Sequence, residues 1–331
     1  MGIIEDLKTR AKAQQKTIVL PESQDERTLK AASIIRSEGL SEVILLGEQT
    51  RILDDASALG LDLSTCTIIN PQASDLIDVF STAFFNKRKE KGITHDQALV
   101  AVKNQLYFGA LLVQHGIAQG MVAGATNTTA DVLRAALQLV GVKPGLKTVS
   151  STFIMVSPRA EDPALMFADC AVVPCPSDEQ LADIAISTAE TRRLIMGDEP
   201  YVALLSFSTK GSAEHELVSK VQSAVQILDA RKVDFAYDGE LQLDAALVPK
   251  VAASKAKGSL VAGKANTLVF PDLQAGNIGY KLVQRLGNYE AIGPIIQGLA
   301  APICDLSRGC SVDDIVNTAA LVILLAQNTQ S

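Results

Sequence analysis

Along this chain, short runs of apolar residues alternate with longer stretches whose apolar positions recur every three or four residues. The first pattern predicts buried strands and the second amphipathic helices. Residues 17–20 (TIVL), 42–47 (EVILLG) and 66–70 read as strands, with a helix over 25–38 and Asn70-Pro71 closing the third run. Two long helical patterns cover 73–91 and 95–115. A further strand, 121–125 (MVAGA), runs through a Thr/Asn loop into a helix over 130–140. The order is that of βαβ units and predicts a mostly parallel sheet. The first 16 residues are polar and helical in pattern.

The cluster Gly141-Val142-Lys143-Pro144-Gly145 reads as a turn and a domain edge. Beyond it, 150–156 and 164–168 are strands joined by a short polar loop, which predicts an antiparallel hairpin. Alternation then resumes, with helices over 178–195, 212–228 and 276–286 and strands over 201–206, 235–239 and 267–271. A strongly apolar helix over 312–327 closes the chain. No internal repeat and no Gly/Ser- or Pro-rich linker interrupts this order, so two closely joined domains around a cleft are expected.

Composition narrows the picture. The chain has 331 residues, 47% of them hydrophobic, with no Trp. Its core is therefore built from Ala, Val, Ile and Leu, which suits parallel strands buried on both faces. A net charge of -7 argues against nucleic acid or an anionic membrane as the main partner. Five cysteines without zinc spacing predict reduced thiols and a cytoplasmic protein. The start of the chain has no apolar signal core, and no run of about 18 apolar residues occurs.

The densest chemistry lies in residues 302–315, PICDLSRGCSVDDI. An apolar run ends in a turn carrying Ser307, Arg308 and Gly309, and a helix with Asp313 and Asp314 begins at once. Free backbone N–H groups at a helix start favour anions, and an Arg fork fits phosphate. Each residue has two readings. Ser307-Arg308-Gly309 is an anion site or an ordinary turn. Asp314 is a general base or the acidic member of a capping box begun by Ser311. Thr128 and Thr129, after the strand at 121–125, contact a ligand or cap the next helix. Arg134 sits near that helix's start, where a cation opposes the dipole and a functional role gains weight. Arg88, before Gly92, ends a helix, where cations are ordinary. Ser208-Thr209-Lys210-Gly211-Ser212 has the composition of a phosphate loop but not its spacing, and Gly276-Asn277-Ile278-Gly279 is no dinucleotide fingerprint. The three histidines have no ligand spacing. Cys310, near Arg308 and a helix start, is expected to have a lowered pKa.

Taken together, these segments resemble the phosphate acetyltransferase (phosphotransacetylase) family in its short form. The resemblance runs through VLPESQDERTLKAA (19–32), RKEKG (88–92), AGATNTTADVLRAALQ (123–138), SFSTKGSA (206–213) and DGELQLDAA (238–246). It is most specific in FPDLQAGNIGYKLVQRL (270–286) and GPIIQGLAAPICDLSRGCSVDDIV (293–316). It implies an α/β, isocitrate/isopropylmalate dehydrogenase-like fold of two domains, 1–148 with 298–331 and 149–297. It further implies a homodimer and reversible acetyl transfer between coenzyme A and inorganic phosphate. No bound cofactor or metal is implied, and coenzyme A and acetyl-CoA enter as substrates. By motif position, Asp314 matches the base that takes the thiol proton. Ser307 matches the residue that steadies the tetrahedral state, and Arg308 the one that holds the phosphoryl group. Arg88 and Arg134 match arginines that bind coenzyme A, and Thr128 and Thr129 are placed at the phosphate or acetyl group. Three positions depart from the family pattern: Cys304 stands for a usual Asn, Ala135 for Pro and Thr128 for Ser. A longer acyl group such as butyryl, or a non-catalytic acetyl-CoA-binding regulatory module, are the alternative readings.

Overall fold

The fold is that of a computed structural model, which describes residues 2–326. The chain divides into two compact units, one formed by residues up to Lys143 and from Leu299 onward, the other by Pro144–Gly298. The first stretch runs α1 (Ile3–Lys12), β1 (Thr17–Leu20), α2 (Glu26–Ser37), β2 (Glu42–Leu46), α3 (Gln49–Ala58) and β3 (Thr67–Ile69). It continues with α4 (Ile77–Arg88), α5 (His95–Val102), α6 (Gln105–Gln114), β4 (Gly120–Ala123) and α7 (Thr129–Leu139). The pattern over 95–115 is thus two helices rather than one. Asn104 breaks it, because its side chain accepts from the amides of Leu106 and Tyr107 and caps a new start. A single 3-10 turn at Lys89–Lys91 extends α4.

The second unit contains β5 (Ser150–Val156), β6 (Leu165–Ala168), α8 (Asp178–Met196), β7 (Tyr201–Leu205), α9 (Glu216–Arg231), β8 (Ala236–Leu241), α10 (Leu243–Leu247), α11 (Pro249–Lys255), β9 (Thr267–Val269), α12 (Leu273–Gly287) and β10 (Glu290–Gln297). Its six-stranded sheet has the order β10-β5-β6-β9-β7-β8. The expected hairpin is present, since β5 and β6 pair antiparallel with Phe153 opposite Phe167. The strand β10 pairs antiparallel at the sheet edge and carries Gly293 and Pro294, residues that conceal a strand in sequence but are tolerated at an edge. Helices α8 and α9 pack on one face of this sheet, around Leu181, Ala185, Val221 and Leu228.

The chain then returns to the first unit with β11 (Ile303–Asp305) and α13 (Val312–Leu325); Gln327, predicted to end that helix, lies outside the described residues. The completed sheet has the order β11-β4-β1-β2-β3, and every pairing in it is parallel. Alternation along β4 shows how its two faces are covered. A Cβ on Gly120 would lie 2.2 Å from Val322 of α13, and one on Gly109 of α6 would lie 2.7 Å from the Met121 sulfur. Helix α13 therefore packs directly on one face of β4 and α6 on the other. Strand β1 has neighbours leading off in both directions, to β2 on one side and β4 on the other, which makes the β1/β4 boundary a topological switch point. Ligands of open α/β sheets bind beyond the strand C-termini at such a point.

Candidate active site

Three loops leave the C-terminal ends of the neighbouring strands β11, β4 and β1, and they are bonded to one another through side chains. The loop after β1 contributes Glu22, buried at 2% exposure. Its Oε2 accepts from the amides of Gly124 and Ala125 at 2.8 and 2.7 Å. Its Oε1 accepts from the amides of Thr126 and Asn127 at 3.0 and 2.8 Å, and also from both of their side chains. Four successive backbone donors around one carboxylate form an anion-binding nest, filled here by the protein's own side chain.

Arg27, in the first turn of α2, ties the other two loops together. Its Nη1 donates to the carbonyls of Arg308 and Cys310 at 2.9 and 2.8 Å, and its Nη2 to the Ala125 carbonyl at 2.9 Å. Asp25 takes the remaining fork at 3.0 and 2.8 Å. That pairing, with Arg27 as the leading cause, holds the Asp25 carboxyl below its ordinary range. Gly124 closes the packing. At φ +111° it adopts backbone that other residues avoid, and a Cβ there would fall 2.4 Å from the Leu306 carbonyl oxygen.

On this scaffold, Ser307, Arg308 and Gly309 are exposed in the turn between β11 and α13. Ser311 and Asp314 form the reciprocal capping box: the Ser311 hydroxyl accepts from the Asp314 amide at 3.1 Å, and Asp314 Oδ2 from the Ser311 amide at 2.8 Å. Asp314 is itself exposed. Thr128 caps α7 and also donates to Asp131 at 2.7 Å. The Thr129 hydroxyl donates to Asp305 Oδ2 at 2.6 Å, so the starts of α7 and the β11 loop share a hydrogen bond. Burial pushes the Asp305 carboxyl up to about 6, opposed by the Thr129 hydrogen bond and helped by the nearby Glu22 charge.

Arg134 lies farther along α7, paired with Asp131 at 2.6 Å. The Thr128 hydroxyl first, and then Arg134, hold Asp131 below the usual carboxylate range. Arg88 lines a pocket with Phe84, Lys91, Gly92, Ile93, Gln97 and Gln138. Gln138 accepts from the Tyr107 hydroxyl at 3.0 Å and stands one helical turn beyond Arg134. From Thr129 to Gln138 the helix rises about 14 Å. The structure thus gathers Thr128, Thr129, Ser307, Arg308 and Asp314 at one sheet edge, with Arg134 on α7 and Arg88, at the end of α4, lining a pocket with Gln138 of α7. A proton acceptor, a hydroxyl and a guanidinium beside two helix starts can bind an anion and manage a proton.

Glu22, Arg27 and Asp305 organise this edge, and motif spacing alone does not mark them as site residues. The only signals were the acidic and basic residues of PESQDER and the Asp of ICDLSRG. The expected lowering of Cys310 is reversed: burial raises its pKa, with Arg27 opposing. Cys304 is buried within β11, opposite Val122. In the second unit, the loop at 208–212 is occupied internally. Buried Glu240 accepts from the Gly211 amide at 2.7 Å and the Ser208 hydroxyl at 3.0 Å, while Lys210 bonds Asp238 and the Gly239 carbonyl. Gly276 serves close packing, since a Cβ would lie 2.2 Å from the Asp169 carbonyl oxygen.

A family model described as phosphate acetyl/butaryl transferase matches residues 2–323. The chain belongs to this family. A phosphate acetyltransferase of Thermoanaerobacterium thermosaccharolyticum is 53% identical over 330 residues, covering 99% of this chain and 100% of that one. One from Clostridium acetobutylicum is 50% identical over 330 residues and covers 99% of each. Among solved structures, a phosphotransacetylase from Streptococcus pyogenes is 44% identical, with a TM-score of 0.94 over 98% of both chains.

Proposed function

We propose that this chain is an enzyme that transfers an acetyl group reversibly between coenzyme A and inorganic phosphate. Full-length likeness to phosphate acetyltransferases supports the reaction. The observation that carries its placement is the meeting of the Ser307-Arg308 turn, the Asp314 carboxylate and the Thr128-Thr129 helix start on adjacent strands.

The chemistry follows from those groups. A free alkyl thiol has a pKa of about 8.5, so only a few per cent is thiolate at neutral pH. Asp314 takes the thiol proton of coenzyme A. The sulfur attacks the acetyl carbonyl of acetyl phosphate, the C–S bond forms and the C–O bond to phosphate breaks, with both substrates bound together. Ser307 donates to the tetrahedral oxyanion, and Arg308 neutralises the departing phosphate. A positioned base contributes roughly 10²–10⁴-fold, and fixed donors to the oxyanion on the order of 10²–10³-fold. Thr128 and Thr129 border the phosphate or acetyl group. Arg134 on α7 and Arg88 at the end of α4 bind the phosphates of coenzyme A. Asp314 accepts the capping bond through Oδ2 and remains an exposed residue, so cap and base are compatible roles.

The decisive assay is phosphate-dependent release of coenzyme A from acetyl-CoA, repeated with Asp314→Asn. We expect kcat to fall by about 10²-fold or more with coenzyme A affinity little changed. A near-normal kcat would leave Asp314 as a helix cap only. Because the family description also names the butyryl reaction, the same assay with butyryl-CoA decides acyl preference, and we expect acetyl-CoA to be faster.

We further propose a cytoplasmic homodimer. No disulfide joins the five cysteines. Among the described residues no helix is long and apolar enough to cross a membrane. Helix α12 exposes Ile278, Leu282 and Leu286, at 57%, 51% and 78%, at successive i,i+4 positions, a stripe suited to burial against a second copy.

A further inference from the structure

Thr129 is exposed at the start of α7, yet its hydroxyl proton is committed inward, to Asp305 Oδ2 at 2.6 Å. Asp305 ends β11 at 4% exposure, and its Oδ1 is buried with no hydrogen-bond partner among the described residues. An ionised carboxylate can only accept, so ionised Asp305 takes the single proton of Thr129. The Thr129 oxygen is then left with lone pairs alone to offer a ligand. If Asp305 takes up a proton from solvent, it can donate to the Thr129 oxygen. The hydroxyl hydrogen is then free to turn outward.

We propose that Asp305 is a positioning residue that sets the direction of the Thr129 hydroxyl, making Thr129 an acceptor toward substrate when Asp305 is ionised and a donor when it is neutral. This rests on the proposed acyl transfer. In that reaction one substrate brings donors, the thiol and amide groups of coenzyme A. The other, a phosphate dianion, brings only acceptors. A phosphoryl oxygen meets lone pairs in the first state and a hydrogen-bond donor in the second.

The surroundings place the change in an accessible range. The acidic neighbour is Glu22 from the β1 loop, itself fixed by Gly124, Ala125, Thr126 and Asn127. Arg27 is engaged with Asp25 and with the carbonyls of Ala125, Arg308 and Cys310. On α7, Asp131 and Arg134 pair with each other. On the α13 side, Asp314 is bonded to Ser311, Asp313 and Arg308 are exposed, and the Cys310 thiol is raised by burial. Burial raises the Asp305 carboxyl most, the Thr129 hydrogen bond opposes that rise and the Glu22 charge adds to it, so the carboxyl at about 6 titrates within ordinary working pH.

Sulfate tests this, because it has the shape of phosphate but does not titrate near neutrality. Its dissociation constant is measured by calorimetry at about pH 5.5 and about pH 8 on the intact protein, a readout independent of turnover. For the parent we expect binding at least about threefold tighter at the lower pH, roughly 0.7 kcal/mol or more. Thr129→Val removes the hydroxyl but keeps the Asp305 charge, and its pH ratio should fall to near one. Asp305→Asn keeps an acceptor for Thr129 without titrating, and should likewise be flat. A parent with no pH ratio, or a ratio that survives in Thr129→Val, overturns the proposal; the second result would assign the effect to charge alone. Melting curves at both pH values check that each variant is folded. Absence of phosphate-dependent coenzyme A release in the parent would instead refute the acyl-transfer reading while leaving the sulfate result standing.

Discussion

At the scale of single residues, the buried carboxyl of Asp305 makes a stability statement. Its folded pKa of about 6 lies above the ordinary 3.8, so the folded protein binds this proton more tightly than the unfolded chain does. The stabilisation is complete below about pH 4 and is lost as pH rises through about 6. A shift of about two units is worth up to roughly 3 kcal/mol. Asp305→Asn, neutral throughout, should therefore melt above the parent at about pH 8, with the gap closing toward about pH 4. Scanning calorimetry across that range checks it, and a constant offset would show that Asp305 is not held neutral by its surroundings. Residues of this kind are hard to read in sequence. Ser307, Arg308 and Asp314 stand within eight positions and advertise a turn and a helix start. Glu22 acts on amides about 102 to 105 positions away, and Arg27 on carbonyls 281 and 283 positions away. A pattern read along the chain does not bring such partners together.

At the scale of elements, periodicity revealed most strands and helices, because a parallel sheet writes its buried strands as apolar runs. It failed where local chemistry interrupts a pattern. Asn104 splits one apolar helical stretch into α5 and α6, and Gly293-Pro294 disguises an edge strand. The three-residue β11 is too short to show a period at all, although it supports the site's central turn. Its approach to β4 depends on Gly124, where a Cβ would meet the Leu306 backbone and the Asp305 carboxylate at 2.4–2.6 Å. Gly124→Ala should cost more than about 2 kcal/mol of stability, through both contact and backbone conformation. It should also lower kcat by shifting the turn that carries Ser307 and Arg308. Denaturant unfolding together with the acetyl-transfer assay tests this; a variant matching the parent in both would mean the loops can separate at no cost.

At the scale of the whole molecule, the two-sheet α/β architecture was legible from the alternation of elements and from composition. Its assembly was not, because one amphipathic helix looks much like another until its neighbours are known. In the second unit, α12 buries only Gly276 completely and leaves its Ile278–Leu282–Leu286 stripe open. If that stripe faces a second copy, paired Leu282→Glu and Leu286→Glu changes place four like charges in one symmetric interface. Sedimentation velocity should then report a monomer that keeps the parent's circular dichroism. An unchanged dimer would move the interface elsewhere.

The carboxylate of Glu22 bears on how substrates are received. A loop rich in amides and hydroxyls ordinarily stays loose until an anion arrives, and ordering it then subtracts from the affinity of that anion. Here the anion is built in, so the loop after β4 has its shape before any ligand appears. With the acyl transfer placed at this loop, as proposed, phosphate and acetyl phosphate would meet the same preformed surface, and neither would gain an advantage by organising it. For a catalyst that must run in both directions, such indifference keeps either side of the equilibrium from becoming a trap.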